Sequence, residues 1–90
     1  MKLAVLNLDG RVSYVEITNK EMLLATLQSI VGGYIEVLTL TEDKVLIMNE
    51  DGKLEGLPVN KTATGLLRIA YRGSNDMIAG TAVLMDRKDL

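Results

Sequence analysis

The chain has 90 residues, 48% of them hydrophobic but only 3% aromatic, and carries a net charge of −2 from 10 basic and 12 acidic side chains. A chain this short holds one hydrophobic core, and without Phe or Trp that core must be aliphatic. The lack of Cys and His removes disulfides, thiolate nucleophiles, imidazole bases and the commonest zinc ligands.

Charges of both signs alternate along the chain, as in Asp43-Lys44 and Asp86-Arg87-Lys88-Asp89. No basic stripe suits nucleic acid, so direct nucleic-acid binding is not expected. The opening apolar run is broken by Asn7 and Asp9, too early for a signal peptide. No segment approaches the roughly 18 apolar residues of a membrane span. These features predict a cytoplasmic, soluble domain over residues 1–85, followed by a polar tail at 86–90.

Taken in order, residues 2–8 and 11–17 read as two strands, and Asp9-Gly10 between them is a hairpin signal. Thr18-Asn19-Lys20-Glu21 has the spacing of a capping box, which predicts a helix with Thr18 as its cap. Leu23, Leu27, Ile30 and Val31 give that helix one apolar face, and Gly32-Gly33 supplies its end. Residues 34–41 and 44–48 predict a second hairpin around Thr41-Glu42-Asp43.

Residues 49–60 form a polar connection. Asp51-Gly52 is expected to provide positive φ angles at a turn. Gly56 and Pro58 extend the link, Pro58 holding Leu57 extended toward the core. Residues 62–72 read as a short helix, although Leu67, Ile69 and Tyr71 also fit a strand. Residues 77–85 read as a last strand with Gly80 inside it. The order ββαββ(α)β predicts an α+β two-layer sandwich: one helix on a mixed sheet of about five strands, in a layout that looks like ubiquitin-type β-grasp domains.

The stretch Asn49-Glu50-Asp51-Gly52 brings three oxygen-bearing side chains beside a glycine, but it lacks the alternate spacing and distal bidentate Glu of a calcium loop. No metal site and no cofactor are expected. Surface candidates for binding are Tyr34, Asn49, Glu50, Lys53 and Asn60, which fall at turns. Simpler roles are open to two of them: Tyr34 packing at the helix exit, and Asn60 capping the next helix. Backbone amides near Gly32-Gly33 or Gly52 to Gly56, with Lys53, Lys61 and Arg68, could instead meet a phosphate. Glu36 and Glu50 could serve as acid and base, but nothing in the sequence favours catalysis.

Four segments jointly carry a resemblance: Ile30-Val31-Gly32-Gly33-Tyr34-Ile35-Glu36-Val37, Asn49-Glu50-Asp51-Gly52-Lys53-Leu54, Gly56-Leu57-Pro58-x-Asn60 and Ile78-x-Gly80-Thr81-Ala82. Together they resemble the domain of unknown function family 3846, short phage and bacterial proteins. The resemblance implies an accessory gene product of phages or mobile elements, of a kind that often inhibits host defence. On that basis the expected function is a small non-catalytic binding protein, not an enzyme, with a host or phage protein as partner or with itself as a homo-oligomer. A protein that sequesters a small nucleotide is the alternative.

Overall fold

The computed structural model describes residues 1–90 and contains five strands and two α-helices. Strands β1 (Lys2–Leu6) and β2 (Val12–Glu16) form the first hairpin, with Gly10 in the left-handed region at its turn. Helix α1 (Leu23–Val31) follows a single 3-10 turn, Lys20–Met22. The cap differs by one residue from the expectation. Asn19, not Thr18, accepts the Glu21 N–H, at 3.0 Å. The Asn19 amide oxygen takes the N–H two residues on and caps a 3-10 turn, and the α-helix begins only after it.

Gly32 ends α1 in the left-handed conformation (φ 81°), its N–H bonded to the Gln28 carbonyl. Strands β3 (Ile35–Thr39) and β4 (Lys44–Asn49) then form the second hairpin. Residues 62–72 settle as helix: α2 spans Lys61–Ala70, capped by Asn60. The last strand is shorter than the alternation suggested. Strand β5 is Ala82–Asp86, because Gly80 takes φ 89° and breaks the extended run, leaving Ala79 in an isolated bridge to Val59. The strand runs one residue past the expected domain end, and Arg87–Asp89 forms a 3-10 turn whose Arg87 N–H bonds Asp43.

The sheet order is β2-β1-β5-β4-β3, and every neighbouring pair is antiparallel. This corrects the mixed sheet expected of a β-grasp layout. Antiparallel pairing follows from two tight hairpins joined through a central last strand, with no crossover returning a strand in parallel.

Strand alternation divides the core. Leu3, Val45, Ile47, Val83 and Met85 point to one face and pack under Leu23, Leu27 and Val31 of α1. Leu6, Leu46, Met48 and Ala82 point to the other and pack under Ala63 and Leu67 of α2. The helices therefore lie on opposite faces, and the expected two-layer sandwich gains a third, partial layer. Coverage on both sides explains why Val45 through Asn49 of β4 are all buried and why that strand reads as a continuous apolar run.

Candidate functional site

The four signature segments meet at one end of the sheet, where they join to each other. Asn49 ends β4 with 6% of its surface exposed. Its Nδ2 donates to the Val31 carbonyl at 3.2 Å and to Glu55 Oε1 at 3.1 Å, while its Oδ1 accepts the Asp51 N–H at 2.8 Å. One side chain thus satisfies a terminal carbonyl of α1 and fixes the following turn. A Cβ on Gly33 would lie 3.0 Å from Asn49 Nδ2, so the second glycine of the pair makes room for this amide. The Gly-Gly and Asn-Glu-Asp-Gly motifs belong to one contact.

The second junction is built on Asn60, which is fully buried. Its Oδ1 accepts the Ala63 N–H at 3.0 Å, and its Nδ2 donates to the carbonyls of Leu6 at 2.9 Å and Gly80 at 3.0 Å. The cap of α2 is at once a tie between β1 and the segment before β5. Main-chain bonds from Asn60 N–H to Ile78 and from Gly80 N–H to Pro58 pair the third and fourth motifs. Gly52 is required by space, not by φ: it is absent from the positive-φ glycines, and a Cβ there would stand 2.8 Å from the Ala79 carbonyl oxygen. The expected positive φ at Asp51-Gly52 is replaced by one at Gly56 (φ 70°).

With both asparagines occupied by the fold, the exposed residues of the same turn border a cleft. It has a volume of about 260 Å³ and lies on the α2 face, between β3, β4, the 49–54 turn and residues 76–79. Leu38, Met48, Leu67, Ile78 and Ala79 give it an apolar floor, and Glu36, Glu50, Lys53 and Asp76 give it a charged rim. Lys53 and Asp76 form an ion pair across the rim. The Lys53 hydrogen bond, helped by the Met77 N–H, holds the Asp76 carboxyl below its ordinary value of 3.8. Glu36 and Glu50 take part in no ion pair.

Of the residues singled out in the sequence, Asn49, Glu50 and Lys53 come together at this cleft. Tyr34 stands outside it, 71% exposed, although its carbonyl accepts the Glu50 N–H at 3.0 Å. Asn60 is at the buried junction. Sequence reasoning passed over Leu54, Asp76 and Met77. Leu54 had a signal: a lone leucine among Asp51, Gly52, Lys53, Glu55 and Gly56 has no periodic apolar neighbours to bury it, and it is 89% exposed. The glycine amides considered for phosphate have partners within the chain: Gly32 and Gly33 bond Gln28, Gly52 bonds Asn49, and Gly56 bonds Lys53.

No group of acidic side chains is arranged to hold a metal ion, and no helix is long and apolar enough to cross a membrane. The molecule is thus a small α+β protein whose signature residues tie the fold together and leave a mixed apolar and charged cleft beside them. Within that class, the chain belongs to the domain of unknown function family 3846 (DUF3846), whose model matches residues 1–89. No curated protein and no solved structure matches the chain.

Proposed function

We propose that this protein is a non-catalytic interaction module that binds a protein partner through the cleft between β3, the 49–54 turn and α2. The observation that carries this reading is the placement of Leu54. It is 89% exposed at the rim of an apolar-floored cleft, beside the half-exposed Met77. A large apolar side chain held out by an ordered turn loses nothing in the fold when it is covered, and it gains about 2 kcal/mol of transfer free energy when a partner buries it. In a phage or mobile-element setting, such a module would act by covering a host surface, a task that requires no nucleophile or base.

The nucleotide-sequestering alternative has weaker support. Its glycine amides are engaged within the chain, and Lys53, the one basic residue lining the cleft, is already paired with Asp76. The test is photo-crosslinking from position 77, at the cleft rim with Leu54, in the cells that carry the protein. A single stoichiometric adduct, lost in Leu54→Asp and retained in Ile69→Asp on the outer face of α2, is expected. Equal adducts from both variants would overturn the reading.

A further inference from the structure

Strand β3, which lines the cleft with Glu36 and Leu38, is an edge strand of the sheet, and its free edge is unevenly protected. The Glu50 N–H bonds the Tyr34 carbonyl and the Leu40 N–H bonds Lys44. Alternation along an antiparallel ladder then gives Tyr34, Glu36, Leu38 and Leu40 to β4, and turns the N–H and C=O groups of Ile35, Val37 and Thr39 outward. The Thr39 carbonyl accepts the Tyr71 hydroxyl at 2.5 Å, so α2 closes that end of the edge. Nothing in a turn, loop or side chain bonds the outward groups of Ile35 and Val37. The strand Ile35–Thr39 has no proline, lysine or bulge of the kind that usually blocks an edge.

The surroundings of this edge differ on the two faces. On the α1 face a groove of about 200 Å³ runs beside it, lined by Leu23, Leu24, Leu27, Ile35 and Leu90 with Lys20 at its rim. Leu24 is 54% exposed and Val37 42% exposed there. On the α2 face stand Glu36 and Glu50, diagonal neighbours across β3 and β4 by register, neither with an ionic partner.

The geometry points to strand addition: the outer edge of β3 takes an extended peptide that carries apolar side chains toward α1 and, on alternate positions, a Lys or Arg toward Glu36 and Glu50. Residues opposite one another in a ladder share a face, so one side of the added strand lies over Val37 and the groove while the other meets the carboxylates. Main-chain bonds to Ile35 and Val37 supply affinity, and the two faces supply selection. A second copy of the chain fits less well. Setting Val37 opposite its own copy requires the Thr39 carbonyl that Tyr71 already holds, and the next register sets Glu36 against itself.

This inference rests on the cleft being the binding surface, and the experiment separates the two. A displayed library of random linear peptides is selected on the intact protein, and enriched peptides are followed by amide chemical shifts. Expected are sequences alternating apolar residues with Lys or Arg, shifts at the Ile35 and Val37 amides, and a loss of affinity of about tenfold or more in Val37→Pro, which removes an edge donor. Glu36→Lys should switch the selected charge to Asp or Glu while leaving the alternation, a result independent of how well Val37→Pro folds. If Leu54→Asp abolishes binding and Val37→Pro and Glu36→Lys do not alter it, the cleft stands and strand addition is overturned. No enrichment, or binding that none of these variants alters, overturns both. Dimerisation that Val37→Pro abolishes would assign the edge to a second copy and also overturn the peptide.

Discussion

Asn49 and Glu50 are neighbours in the chain and opposites in the structure. Asn49 sits in a seam with Gly33, Gly52, Asn60 and Gly80, where each polar atom has a partner and each missing Cβ makes room for another chain segment. Glu50 begins a rim with Glu36, Lys53, Leu54 and Met77, where side chains face solvent and touch little. The comparison teaches that a recurrent sequence pattern can belong to the joinery of a fold while the free chemistry lies in the residues between its fixed points.

Substitutions in the seam and on the rim should separate sharply, and the largest effect is expected at Asn60. Asn60→Ala removes the cap on the Ala63 N–H and the buried amide bonds to the Leu6 and Gly80 carbonyls, and should lower stability by about 3 kcal/mol in denaturant unfolding. A loss as small as that of a surface residue would dissolve the seam. Gly52→Ala comes next, at about 2 kcal/mol, because its Cβ meets a backbone carbonyl that cannot swing away.

Gly33→Val should also lower the melting temperature, by crowding the Asn49 amide. In an Asn49→Ala background the added cost of Gly33→Val should shrink, and an unchanged cost in that double-mutant cycle would show that the two motifs are not coupled. On the rim, Leu54→Asp should leave stability within about 0.5 kcal/mol while removing binding.

The smallest effect concerns pH. Asp76 and Asp86 are held below 3.8 by hydrogen bonds from Lys53 and Lys44. A depressed carboxyl stabilises the fold fully above its unfolded value, and the contribution fades as pH falls through the native value. Stability should therefore decline below about pH 4, slightly less steeply in Asp76→Asn, both pairs being exposed and screened. An identical acid limb in Asp76→Asn would show that the rim ion pair contributes nothing.

Much of this was legible locally. The two hairpins, the end of α1 at Gly32 and the capping of α2 by Asn60 depend on residues within a few positions of each other, and turn and cap chemistry marks them in the sequence. What escaped was non-local. Leu6 is 54 positions from Asn60, so nothing near Asn60 announces its second role as a tie to β1. The placement of α2 on the opposite face depends on register across β1, β5 and β4, which no single segment encodes. Residues 77–85 read as one strand because their apolar pattern is continuous, whereas the break at Gly80 is imposed by Leu57 and Pro58 from another part of the chain. At the site, composition marked the polar turn as notable, and only packing could sort its buried members from its free ones.

The order of the sheet bears on how the molecule comes into being. The last of the five strands, β5, lies at the centre, between β1 and β4. Both hairpins can form as soon as their own residues are available, yet neither can join the other until β5 arrives between them. A chain emerging from the ribosome would hold two unjoined ribbons with open edges until β5 has emerged. Folding should thus be a late, concerted closure, and during synthesis the nascent protein depends on whatever shields those edges in the meantime.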